Sequence, residues 1–205
     1  MTRACFVARG LWILAAIALT SIFAAPGCSS DDVGVGDPCL PEIEYTDTFN
    51  GFNVDDVWTE SRSYQCRSRL CLVNHFQGRA TCPYGQRSDG TPRSGDQACS
   101  TPRTNKPVIG GVPAGSDGAE VKPQCSGRRP SDAIYCSCRC ANKDGKTDDG
   151  SNYCSCPDGF SCEQLTAVIP GTDEELTGGY CIKSGTQYKE GSCGLDCNAD
   201  VQTCL

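Results

Sequence analysis

Cys136-Ser137-Cys138-Arg139-Cys140, followed after 13 residues by Cys154-Ser155-Cys156 and then by Cys162, is the stretch that decides the fold. Residues two apart on an extended strand point to the same face. Three sulfurs on one face pair most readily with an opposing element, and Cys154 and Cys156 are placed to supply it. Clustered thiolates also bind zinc tetrahedrally, but the common patterns leave two to four residues between ligands, and these leave one. The expectation is disulfides and no metal or other cofactor. An extracytoplasmic metal-binding protein using the cluster from Cys136 to Cys162, and redox exchange through Cys-X-Cys, are the alternatives.

The whole chain extends that reading. It has 205 residues, of which 18 are cysteine, one is histidine and 23 are glycine. Such cysteine density marks a disulfide scaffold in an oxidising compartment. Aromatics are only 7%, so disulfides must replace much of the apolar burial of an ordinary core. The net charge is -7 and the pI about 4.7, which excludes a general nucleic-acid binder. No run of 18 apolar residues occurs, so no ordinary membrane-spanning helix is expected.

The amino terminus reads as a secretory signal over 1–27. Arg3 and Arg9 form a basic start, and 11–25 is apolar apart from Thr20 and Ser21. Fifteen residues at about 1.5 Å each fall short of a roughly 30 Å hydrocarbon layer. Ala25-Pro26-Gly27-Cys28 resembles the lipobox of bacterial prolipoproteins, with Cys28 at the lipidated position and Gly27 the small residue before it. Ala25 stands where leucine is usual, and Pro26 is not the commonest choice. The resemblance implies acyl chains on Cys28, and two chains suffice for stable anchoring. Ser29 after the cysteine implies sorting to the outer membrane, and residues 28–38 would be a polar tether.

Cysteine parity supports the same picture. With Cys28 lipidated, sixteen cysteines remain for disulfides: Cys39, Cys66, Cys71, Cys82, Cys99, Cys125, Cys136, Cys138, Cys140, Cys154, Cys156, Cys162, Cys181, Cys193, Cys197 and Cys204. Residues 101–124 hold no cysteine and are rich in proline and glycine, so they read as a loop or linker. Five cysteines lie in 39–100 and eleven in 125–205. Both counts are odd, so at least one disulfide must cross the linker and join the two segments. Cys99 with Cys125 is the shortest crossing.

The charge pattern is acidic, then basic, then acidic. Residues 28–57 carry eight acids and no base, and 58–106 carry seven arginines and one lysine against three acids. Short strands are expected at 58–64 and 70–74, and a hairpin from 165–169 and 179–183 across 170–178. Helical periodicity is missing. The fold class is therefore small, disulfide-rich and mostly β, with long loops and little helix. Residues 154–162 are similar to the last part of an epidermal-growth-factor-like module, which implies a turn at Gly159.

Candidate ligand residues lie in the arginine-rich stretch 61–79. If 67–75 is extended, Arg67, Arg69 and His75 share a face that would grip carboxylate, phosphate or sulfate through bidentate guanidinium forks. In the competing reading these arginines dock the acidic 28–57 segment. Asn142, Asp144, Asp148 and Asp149 suggest either a calcium loop, though one lacking the EF-hand glycine and distal glutamate, or a solvated turn. His75 is the only histidine, and no nucleophile elbow, His-Glu-X-X-His pair or phosphate loop accompanies it. No catalytic residue is therefore selected, and a secreted hydrolase is the weaker alternative. As a whole the chain resembles the cysteine-rich outer-envelope lipoproteins of myxobacteria. The resemblance implies a membrane partner through lipid on Cys28. The expected function is a non-catalytic binding or structural module of the cell envelope, binding anionic polysaccharide or another envelope protein and no nucleic acid.

Overall fold

The computed structural model describes residues 34–93, 98–109, 120–124, 128–168 and 175–189. The expected signal peptide, Cys28, Cys125, Cys193, Cys197 and Cys204 lie outside the described residues. Among those described, six strands carry the fold: β1 (Val57–Glu60), β2 (Leu70–Asn74), β3 (Ile134–Ser137), β4 (Arg139–Ala141), β5 (Phe160–Val168) and β6 (Glu175–Lys183). Among the described residues, helix is confined to a single 3₁₀ turn, Glu42–Tyr45, and one turn of α-helix, α1 (Pro130–Ala133). The fold is the small, disulfide-rich, mostly β fold that the composition implies.

The strand order is β3-β2-β1-β5-β6-β4. Two antiparallel groups, β1-β2-β3 and β5-β6-β4, meet at one parallel bridge between Trp58 and Val168. The outer strands β3 and β4 are separated in sequence by Cys138 alone. One bent segment therefore pairs with β2 through its first half and with β6 through its second, and the sheet closes on itself. The Cys181 N–H donates to the Cys138 carbonyl at 3.1 Å, and Ser137 Oγ donates to the Cys181 carbonyl at 2.8 Å, across that closure.

Period-two alternation sorts the side chains between inside and outside. Val57, Leu72, Tyr135, Ala167, Tyr180 and Ile182 form the interior cluster, with Leu70, Phe160 and Leu165 against it. Each large apolar side chain so buried contributes about 1.5–3 kcal/mol. Tyr135 packs edge-on to Phe160 with centroids 5.7 Å apart, and its buried hydroxyl accepts the Lys183 N–H at 3.0 Å. Burial pushes the Tyr135 phenol up from its ordinary pKa.

The alternate positions, Cys71, Cys136 and Cys181, face outward, and there the disulfides tie loops to the wall. Cys71 bonds Cys39, Cys136 bonds Cys66, and Cys181 bonds Cys156. Cys138–Cys154 fastens the bend between β3 and β4. Cys140–Cys162 links β4 to β5 over the intervening β6. Gly179 of β6 lies beneath it: a Cβ there would meet Cys162 Sγ and Ala141 Cβ at 2.8 Å. Outside the β2–β3 wall, Cys71, Val73, Ile134 and Cys136 pack with Phe49, Phe52 and Phe76.

Two expectations change. The strand expected over 58–64 ends at Glu60, because 61–62 turn away from the sheet. The expected Cys99–Cys125 crossing is replaced: Cys99 bonds Cys82, and Cys66–Cys136 joins the segments on either side of 101–124. The Gln86 side chain accepts the Cys99 N–H beside this disulfide. The strand over 70–74 is as expected. The hairpin is longer than expected, since β5 and β6 pair over nine residues each. Gly159 has φ +84° in the turn before β5, as the local resemblance implies. The described parts of 101–124 are docked loop, with Val108 and Val121 buried against Cys99.

Candidate functional site

The connection between β1 and β2 is built as a rigid, outward-facing loop. Cys66 in its middle is bonded to Cys136 on β3. Gln65 next to it makes a two-way amide lock with Leu40, accepting its N–H at 3.0 Å and donating to its carbonyl at 2.6 Å. The Ser63 N–H donates to the Arg69 carbonyl, and the Arg69 N–H to the Cys66 carbonyl, each at 3.0 Å. Ser63 is buried, and Arg69 takes φ +65°, a left-handed conformation costly for an arginine. With Ser63, Gln65 and Cys66 held, the residue between them points outward. That residue is Tyr64, 88% exposed.

The Arg69 guanidinium lies 4.5 Å from the centre of the Tyr64 ring. Stacking uses the flat face of a guanidinium and leaves its in-plane N–H donors available. Arg62 and Arg67 are exposed on the same loop. The Arg67 side chain runs close to Gly34. The loop therefore presents one aromatic ring among three cations. Arg67 and Arg69 are among the residues the sequence singles out. Tyr64 and Arg62 are not, although an aromatic flanked by Ser63 and Gln65 with arginine two positions before it is a readable sign of exposure.

His75 does not join this face. Strand β2 stops at Asn74, and His75 follows with φ +49°, at the opposite end of the strand from Arg69. Its Nδ1 hydrogen-bonds the Val54 carbonyl at 2.8 Å, and its ring stacks on Tyr188 with centroids 4.5 Å apart. Burial lowers its pKa, with the Val54 bond opposing and Arg128 adding to the decrease. Among the described residues no hydroxyl or thiol is hydrogen-bonded to it. The single extended face expected over 67–75 is thus cut at both ends by left-handed residues.

Other arginines follow the intramolecular reading. Arg79 is fully buried with Glu44 of the acidic segment, Nε to Oε2 3.5 Å. Its guanidinium donates to the carbonyls of Glu44, Thr46 and Phe49. Glu44 accepts from the Ala80 N–H at 2.7 Å and the Thr81 hydroxyl at 2.7 Å. Burial raises the Glu44 pKa against the pull of Thr81, Arg79 and Ala80. The acidic segment is docked by this pair.

The cysteines from Cys136 to Cys162 are all in disulfides. Cys181 Sγ lies 3.7 Å from both Cys138 Sγ and Cys154 Sγ, so close sulfurs here reflect disulfides packed together. In the 142–149 loop, Asp149 accepts from Asn142 Nδ2, the Tyr153 hydroxyl and the Ser151 N–H. These bonds hold its carboxyl well below the usual range. Asn142 Oδ1 caps the N–H groups of Asp144 and Lys146. The oxygens of Asn142 and Asp149 thus hold the turn, while the Asp144 carboxylate pairs with Lys143 at 3.5 Å.

Comparison of the chain with protein-family models, curated proteins and solved structures gives no match in any of the three.

Proposed function

We propose that this chain is a non-catalytic binding module of the cell envelope, anchored by lipid on Cys28 and displaying the 61–69 loop toward an anionic envelope polymer. The observation that carries the proposal is the loop itself. It is covalently pinned, locked by backbone and amide bonds, and spends its rigidity on exposing Tyr64, Arg62, Arg67 and Arg69 rather than burying them. The lipobox-like residues before Cys28 support the anchor. The six disulfides joining the described cysteines support an oxidising location. The partners that fit such a surface are an anionic polysaccharide or the acidic face of another envelope protein.

Intact mass of the exported protein, with and without alkylation under non-reducing conditions, tests the anchor and the scaffold together. A diacyl or triacyl increment at Cys28 with no alkylation is the expected result. An unmodified Cys28 would remove the anchor. Alkylation appearing only after chelator treatment would replace the disulfide scaffold with a metal site. Binding of a soluble polyanion at low salt, weakened by R67A/R69A, tests the loop, since screening by salt acts on exposed charges.

A further inference from the structure

Resting on the loop reading above, we infer that the 61–69 loop recognises acidic sugar units, with the Tyr64 ring against the C–H face of a pyranose and the arginines holding its carboxylate. Three observations carry this beyond plain attraction to negative charge.

The first is the ring. Tyr64 is the most exposed large apolar side chain of the described residues. Its neighbours on both sides are locked, so its position costs little further ordering on binding. Arg69 lies over the ring, and the side chain is still 88% exposed. A charge-only site needs no such ring.

The second is the donors. Arg69 is exposed, and its guanidinium lies over the Tyr64 ring, 4.5 Å from its centre. Arg62 makes no hydrogen bond or ion pair with the described residues. A carboxylate at the edge of a sugar whose face lies on Tyr64 is within the natural reach of such forks. Oε2 of Glu60, at the end of β1, accepts the Glu42 N–H at 3.0 Å.

The third is size. One ring and a few arginine heads form a far smaller footprint than the roughly 800 Å² per partner of a stable protein interface. A flat sugar repeated along a polymer suits a small site, because many weak contacts add through avidity.

Calorimetric titration of the full, exported and oxidised chain at low salt separates the possibilities. The probes are trigalacturonate, neutral maltotriose and triglutamate. Trigalacturonate should bind and maltotriose should not. Tyr64→Ala should weaken trigalacturonate about tenfold, a typical effect of removing an aromatic anchor, and leave any triglutamate binding within about twofold. Tyr64→Phe should keep the affinity. The double variant Arg62→Ala with Arg69→Ala should weaken both anions. Equal affinity for the two anions with no effect of Tyr64→Ala would overturn the sugar inference and leave the cationic loop standing, an acidic protein face then being the better partner. No binding of either anion would overturn both. Tyr64 is exposed, so its variants retain the fold, and intact non-reduced mass confirms their disulfides.

Discussion

The closed sheet and the loop region beside it, made of 34–56, 75–93, 98–109 and 120–124, satisfy their buried backbones by different means. In the sheet, ladders pair the peptide groups, so the interior holds apolar side chains such as Leu72, Ala167 and Ile182. The loop region has only isolated bridges, such as Phe52 with Gly78 and Gln86 with Val121. Its buried carbonyls need other donors, and long polar side chains supply them. Arg79 serves three carbonyls, and Gln86 bridges the Val108 carbonyl and the Cys99 N–H. The lesson is that a chain poor in ladders buries charge and amide where one rich in ladders buries leucine.

Removing Arg79 should break that comparison most severely. Arg79→Leu leaves Glu44 buried without its ion pair and three carbonyls without this donor. Breaking a buried pair costs about 3–5 kcal/mol, and the orphaned carbonyls move the loss toward the upper end. Urea unfolding of the oxidised protein measures it. A loss below about 1 kcal/mol would mean that the pair behaves as a surface pair and that the loop region stands on something else.

Next in size is the crosslink that joins the two halves. Cys66–Cys136 closes a separation of 70 residues and Cys138–Cys154 one of 16. Loop-closure entropy gives about 4 and about 3 kcal/mol respectively. Replacing each pair by alanine should therefore destabilise in that order, and a reversed order would remove the unfolded-state account. Non-reducing peptide mapping should recover the Cys66–Cys136 peptide, whereas a Cys99–Cys125 peptide would restore the crossing expected from spacing alone.

Much of the closed sheet is legible in the sequence because its signals are local. The run Leu70-Cys71-Leu72-Val73-Asn74 is β-compatible and flanked by turn residues, and β2 has those bounds. The odd cysteine counts correctly demand a crossing disulfide. Which cysteine crosses is not legible, because Cys66 meets Cys136 only through the register Cys71 to Cys136 in the folded sheet. The site was half legible for a similar reason. Arg67 and Arg69 stand out by type, but extending them to His75 assumes a strand that left-handed residues at 69 and 75 interrupt. Positive φ at an arginine or a histidine has no compositional sign, unlike glycine at 159. The partnership of Arg79 with Glu44 is a contact between residues 35 apart, so the charge pattern predicts docking without naming the pair.

Gln86→Ala sharpens the comparison at a smaller scale. The side chain is buried, with its Nε2 donating to the Val108 carbonyl at 2.9 Å and its Oε1 accepting the Cys99 N–H at 2.9 Å. Leaving two buried backbone groups unpaired should cost about 2 kcal/mol. Substitution of exposed Thr166 by alanine in β5 should change stability by less than about 0.5 kcal/mol. Equal losses at the two positions in urea unfolding would show that side chains do not replace ladders in the loop region.

The smallest effect lies at the junction of the two regions, where His75 ends β2 and caps the Val54 carbonyl. Tyr188 stacks on its ring, and the charges of Arg128, Asp55 and Asp56 act on it. Its pKa is lowered on folding, chiefly by burial. The unfolded chain therefore takes up a proton before the folded one does, and stability held above the unfolded value of about 6.5 is lost as pH falls toward the lower folded value. Glu44 has a raised pKa and works in the opposite direction, so the informative quantity is a difference. Wild type and His75→Gln, compared by urea unfolding at pH 7.5 and pH 5.5, should differ in pH dependence, with the wild type losing more stability on acidification. Identical slopes would place His75 in solvent in both states. Its ring would then not be the buried cap that ties the loop region to the end of β2.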